Sequence, residues 1–320
     1  MPDTKHTSKP AGHKGSVKWA ILASFLFALS TPPSKLLSEE ETPFLLCGLF
    51  YLGSIFGIIP SVLLTLKEQR LSLLPEKDRK RTSPWRSIFL PNNPTQKEVG
   101  FAILSVLIGG GAAPILLIWG LKRYPASLGS LLMNAEGIVT VFLAWLIFRE
   151  PLNLRLSTGA VLGAAGCALA SAGSGSHGFS GAIPFFLAAG LWALDSNLLR
   201  FLSGWNPVTI TLWKGLGSSF LLLPLGLFMN HPPLTMAIIA EALATGGLGY
   251  GLSLILFIRS IRSIGVSATG AWFSISPFLG AFLSIVLLKE PVTGTFYGAS
   301  ALLFVAVLFL NGPTPRKNPE

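Results

Sequence analysis

Apolar residues arrive along this chain in blocks of about 20, separated by short polar stretches that carry most of the charge. A helix needs about 20 mainly apolar residues to cross a hydrocarbon core of about 30 Å, and only helices and closed barrels satisfy their backbone there. Blocks of this length fit helices. They predict ten spans, at 17–37, 43–66, 98–121, 125–148, 155–173, 181–201, 206–229, 235–258, 265–288 and 292–310. A polar tail at 1–16, a second at 311–320, and one long connection at 67–97 rich in Lys, Arg, Pro and Ser lie outside the blocks. The expected fold is an all-α integral membrane protein.

Composition supports this reading and narrows the rest. Of 320 residues, 51% are hydrophobic and 12% charged, and the mean hydropathy is +0.62, well away from a soluble domain with about 25% charge. The net charge of +10 does not point to nucleic acid, because the bases sit between apolar blocks rather than along one face. They set the orientation instead. With both termini in the cytoplasm, 19 Lys and Arg fall on the inner side and four (Lys35, Lys122, Arg123, Lys289) on the outer, with Lys214 inside a span. The expected location is the plasma (inner) membrane, as a multi-pass protein. The first block lacks a small-residue cleavage site and reads as a retained span. Cys47 and Cys167 both lie inside apolar blocks, and His6, His13, His177 and His231 fall in tails or loops, so neither a disulfide framework nor a metal or cofactor site is expected.

Sliding the chain by 140 residues sets 109–151 on 249–291 with ten identities, among them Gly109 on Gly249, Ser127 on Ser267, Phe142 on Phe282 and Glu150-Pro151 on Glu290-Pro291. A small gap change extends the match upstream, setting Phe27-Ala28-Leu29 on Trp192-Ala193-Leu194. The chain therefore divides into two five-span halves, 17–173 and 181–310. Five is odd, so the second half enters the membrane from the opposite side, as in the inverted repeats of alternating-access carriers.

These residues resemble a known family. Two five-span halves, each ending its fourth span in a Glu-Pro corner (Phe148-Arg149-Glu150-Pro151 and Leu288-Lys289-Glu290-Pro291) before a Gly-bearing fifth span (Gly159, Gly298), are similar to the EamA domain of the drug/metabolite transporter superfamily. Pro277 matches the family's fourth-span proline and Lys214 its second-span basic residue. The first half departs at both places, with Gly137 and Phe50. The resemblance implies transport of small metabolites, often export.

Ionisable groups inside spans are costly and mark cavities or pathways, which singles out Glu136, Asp195 and Lys214. Glu136 lies about 11 residues from either end of its span, near the midplane where carriers bind substrate. It is a candidate for contacting a substrate ammonium or carrying a coupling proton; the plainer reading is a packing residue beside Asn134. Asp195 and Lys214 reach similar depth on neighbouring spans and are expected to pair, with exchange of Lys214 between Glu136 and Asp195 as the alternative. Trp192, Trp213 and Trp272 come out at comparable depth, as packing or as a cavity floor, and Asn197, Ser274 and Ser276 add hydrogen-bonding groups. Pro32-Pro33 and Asp195-Ser196-Asn197 occupy equivalent repeat positions and are expected to weaken their helices. Gly110 and Gly247 sit in glycine runs inside spans 3 and 8, where they permit close approach or hinging. Glu150 and Glu290 read as corner residues holding short turns.

The expectation is a secondary carrier of small organic metabolites, amino acids or related amines first, working by alternating access, with export as the family's usual direction, proton exchange as the simplest coupling and facilitated diffusion as the alternative. Its partners would be a small-molecule substrate, the lipid bilayer and protons, with no nucleic acid. A lipid-linked sugar flippase is the rival. A nucleotide-sugar carrier would need several cavity bases for its phosphates, and only Lys214 is available. A membrane enzyme or scaffold would need clustered catalytic groups at one interface, where this sequence has isolated charges in mid-span.

Overall fold

The computed structural model describes residues 13–63, 91, 93–148, 154–173, 178–202, 204–229 and 233–311, and all regular structure among them is helical. Among the described residues eight helices are long and apolar enough to cross a bilayer: span 1 (Val17–Glu40), span 2 (Pro43–Leu63), span 3 (Gln96–Leu121), span 5 (Leu154–Ala172), span 6 (Gly178–Phe201), span 7 (Pro207–Phe228), span 8 (Met236–Ile264) and span 9 (Ala268–Leu288). A shorter apolar helix, Gly294–Asn311, is span 10, and Ala126–Leu132 with Ala135–Phe148 form span 4. The expected ten-helix architecture is thus present. Most of the loop at 67–97, both tails and the Glu150-Pro151 corner fall outside the described residues.

Local chemistry fixes several helix starts. Thr42 precedes Pro43 and accepts from the Leu45 amide, Thr95 and Glu98 form a reciprocal capping box, and Asn206 before Pro207 accepts from Val208. The outward surface is as apolar as a bilayer requires: Phe220, Phe228 and Met236 are 85%, 91% and 84% exposed by the protein itself. No hydrophobic force drives helices together inside lipid, so small residues and hydrogen bonds set the packing. Spans 2 and 7 run along each other, as do spans 5 and 10 and spans 2 and 8. Glycine permits the last of these: a Cβ at Gly53 would collide with the Leu243 backbone, and one at Gly246 with the Phe50 backbone.

Backbone irregularities follow the 140-residue offset. Val106–Ala112 in span 3 and Gly246–Leu252 in span 8 are both wide, π-helical segments, and the glycine runs with Gly110 and Gly247 lie within them. Span 4 breaks at Met133-Asn134 and span 9 at Ser274-Ile275. The second break precedes Pro277, which lies at the start of Ser276–Leu288; the first occurs with Gly137 there, so proline is not required for it. Upstream, the halves differ. Span 1 is interrupted at Ser30, with Pro32 and Pro33 in the first turn of its second piece. Span 6 runs unbroken through Asp195, Ser196 and Asn197, against the expectation of a weakened helix. The physical reason is that Asp195 finds partners on other helices, while the Asn197 amide shares the Ala193 carbonyl (2.9 Å), whose second lone pair accepts it without displacing the backbone bond.

The glycine contacts give a paired prediction. Gly53→Ala forces backbone apart at the span 2–span 8 contact and is expected to cost about 1–3 kcal/mol, read as a lower thermal midpoint of the purified protein in detergent. Gly270→Ala, where a Cβ meets open space, is expected to leave the midpoint unchanged.

Candidate functional site

The described helices enclose a buried polar cluster, built around the wide segment of span 3. Asp195 of span 6 and Lys214 of span 7 form an ion pair, Nζ to Oδ2 2.5 Å, with side chains only 6% and 4% exposed. Ser105 of span 3 donates to the other carboxylate oxygen, Oδ1, also at 2.5 Å. The carboxylate thus has a donor on each oxygen, which is how a buried charge becomes tolerable. Span 3 comes this close because position 109 is glycine: a Cβ there would run into the Asp195 carboxylate. The wide turn also frees the Gly109 carbonyl, which accepts from the Tyr51 hydroxyl (2.8 Å) and the Trp192 indole (3.2 Å).

Aromatic rings cover this cluster. Phe27 meets Trp192 edge-on at 5.8 Å and Tyr250 at 6.1 Å, and Tyr250 stacks on Phe50 at 5.4 Å and meets Tyr51 at 5.5 Å. The Tyr250 hydroxyl is buried without a hydrogen-bond partner, as is that of Ser218 in span 7, which lies beside Gly110. Buried polar groups are normally satisfied, so these two hydroxyls are exceptions within the cluster. On the other flank of Lys214, Trp213 packs edge-on against Trp205 at 5.8 Å, beside a narrow cleft that Ser105 and Lys214 also line.

The remaining expected residues divide. Glu136 is half-buried at the start of the second piece of span 4, and the hydroxyl of Ser196, the chain neighbour of Asp195, donates to its Oε1 at 3.4 Å. Asn134, in the break of span 4, is buried; its amide nitrogen donates to Leu131 (2.9 Å) and its oxygen Oδ1 has no partner. Trp272 is 40% exposed, Ser274 donates back to Gly270 (2.8 Å), and Ser276 is buried at the start of Ser276–Leu288. The expected pairing of Asp195 with Lys214 is present in this conformation. Tyr51, Tyr250, Ser105, Ser196 and Phe27 were not anticipated. A phenol inside a span was the available signal for Tyr51 and Tyr250, whereas a serine on an apolar helix carries none.

Two halves that pack through each other, each with a widened and a broken helix at matching positions, with an ion pair of the second half buried against span 3 of the first, have the architecture of a multi-span membrane transporter. The chain belongs to the EamA-like transporter family, which it matches over residues 15–172 and again over 179–312. It is 28% identical over 308 residues to an uncharacterized transporter of Methanothermobacter thermautotrophicus, covering 91% of this chain and 85% of that one. It is 24% identical over 322 residues to a WAT1-related chloroplastic protein of Arabidopsis thaliana, covering 95% of this chain and 72% of that one. A solved crystal structure shares the fold with a TM-score of 0.61 at 17% identity, over 93% of this chain and 96% of the other.

The ion pair makes a sharp prediction for a double-mutant cycle. Lys214→Met or Asp195→Asn alone strands a buried charge and is expected to destabilise by about 3–5 kcal/mol, whereas the double replacement recovers most of the loss. Thermal unfolding of the four purified proteins measures it; additive losses would show that the two groups do not depend on each other.

Proposed function

We propose that this transporter is a secondary carrier that exports amino acids or related amines by alternating access, with Glu136 exchanging the coupling proton. The observation that carries this reading is the Asp195–Lys214 pair with Ser105, set at the contact between the two halves. A zwitterion carries the same two charges as that pair. Its ammonium can replace Lys214 at the Asp195 carboxylate while its carboxylate takes the Lys214 ammonium, so the buried charges stay neutralised as the substrate enters. The free hydroxyls of Tyr250 and Ser218 offer further hydrogen bonds, and the ring cluster of Phe27, Trp192 and Tyr250 offers an apolar wall for a side chain. Glu136 accepts from Ser196, the chain neighbour of Asp195, and lies next to the break in span 4, a place where a change of charge acts directly on a bent helix. Asn134, Asn197, Trp213, Trp272, Ser274 and Ser276 belong to the same proposed pathway, with Pro32, Pro33, Gly110 and Gly247 as its flexible points. The distribution of basic residues supports a plasma-membrane protein with both termini in the cytoplasm.

One observation favours a second reading. An open-sided groove of about 440 Å³ between spans 3, 4 and 6 is lined by Leu116, Val139, Leu143, Phe186, Leu187 and Leu191, and it is apolar throughout. A lipid-linked substrate would use such a groove for its tail, which makes a flippase the rival.

Counterflow in proteoliposomes tests the proposal. Vesicles loaded with pooled unlabelled amino acids or amines are expected to accumulate labelled counterparts through the wild-type protein, faster or slower according to pH, and Glu136→Gln is expected to remove the pH dependence or abolish uptake. Full, pH-responsive uptake by Glu136→Gln overturns its role. An absence of counterflow, together with scrambling of a fluorescent lipid-linked probe by the same folded protein, overturns the carrier in favour of the flippase.

A further inference from the structure

The Glu-Pro corner after span 9 does something a corner residue need not do. Glu290 reaches across to the other half of the molecule and accepts from the first two amides of span 4, Ala126 N to Oε1 at 2.7 Å and Ser127 N to Oε2 at 2.8 Å. The residue ahead of this helix is Pro125, whose side chain has no acceptor and makes no cap. Four amides at a helix start lack partners within the helix, and a carboxylate is the best group to satisfy them. The cap that would ordinarily come from the residue ahead of the helix is supplied here from 164 residues away, by the second half.

Packing on the same side of the molecule is tight. All seven residues of Ala126–Leu132 are buried, and the helix lies along Ser276–Leu288, where Ser130 donates to the Pro277 carbonyl at 2.9 Å. Lys35 of span 1 donates to the Leu121 carbonyl at the end of span 3 (2.8 Å), drawing the same rim together. The counterparts of these helices under the 140-residue offset lie toward the other side of the membrane and behave differently. Among the described residues, Val266–Phe273 does not pack comparably along Ala135–Phe148, Trp272 is 40% exposed, and Gly270 faces open space. Two pairs of helices that the repeat makes equivalent are thus closed at one end and loose at the other.

We infer that Glu290 is the clasp of a gate: its carboxylate, seated on the Ala126 and Ser127 amides, holds the two halves together on the side that the basic residues assign to the outside, and it must leave those amides when the carrier opens there. The inference rests on the alternating-access reading above. It makes Glu290 a conformational residue that touches no substrate.

The test is amide hydrogen exchange read by mass spectrometry on the full chain in nanodiscs, without substrate. In Glu290→Gln the clasp loses its charge and one of its two acceptors. Exchange is expected to become faster, by about tenfold, over 126–134 and 276–288 and slower over 266–273, because opening one end closes the other. Adding Pro125→Ser to that variant supplies a local acceptor for the helix start; it is expected to restore the thermal midpoint while leaving the opposed change at the two ends. A change confined to 126–132, faster exchange at both ends, or complete reversal by Pro125→Ser makes Glu290 an ordinary cap and overturns the inference. No substrate enters this measurement, so its failure leaves the proposed function standing, and failed counterflow leaves the exchange result standing.

Discussion

The interaction on which the rest of the structure depends is the ion pair of Asp195 and Lys214 inside the helix bundle. Either charge alone is expensive at this depth. Held together, with Ser105 on the free carboxylate oxygen, they are tolerated, but only if spans 3, 6 and 7 approach closely. That requirement explains the glycine at 109, and it gives a use to the widened turn around it, whose exposed carbonyl is taken by Tyr51 and Trp192. The cluster therefore organises four helices from both halves through hydrogen bonds and charge, in a setting where apolar contact with a neighbouring helix is worth little more than contact with lipid.

A pair bound this way also sets what can replace it. Neutral apolar molecules have nothing to give either charge, and a lone anion or cation satisfies only one. Under the proposed function a molecule carrying both charges satisfies both, and the hydroxyls of Tyr250 and Ser218 and the surrounding rings add contacts. Closure at one rim and looseness at the other, across helices that the repeat makes equivalent, is the asymmetry that the proposed alternating access calls for.

Much of this was legible in the sequence because lipid imposes a length and a period. Ten spans followed from blocks of about 20 apolar residues, and the 140-residue slide that aligned Glu150-Pro151 with Glu290-Pro291 also aligned the widened segments of spans 3 and 8. The pairing of Asp195 with Lys214 was legible because a buried charge needs a partner at its own depth. What was not legible depended on neighbours across the fold. Span 6 stays unbroken at Asp195–Asn197 because Asp195 and Ser196 find partners on other helices and Asn197 shares a carbonyl of its own helix, and propensity at those positions carries no trace of that. Glu290 read as a local corner because the amides it holds lie 163 and 164 residues earlier in the chain. Ser105 and Ser196 are ordinary helix serines until the helices beside them are known.

The measurement that bears most directly on this account is the infrared difference spectrum of the Asp195 carboxylate on addition of a transported amino acid, assigned by comparison with Asp195→Asn. Exchange of Lys214 for a substrate ammonium predicts a shift of the carboxylate stretch, absent in the Asp195→Asn protein and saturating with substrate. An unchanged Asp195 band, in protein that binds the substrate, would show that the pair is only structural and that the site lies elsewhere.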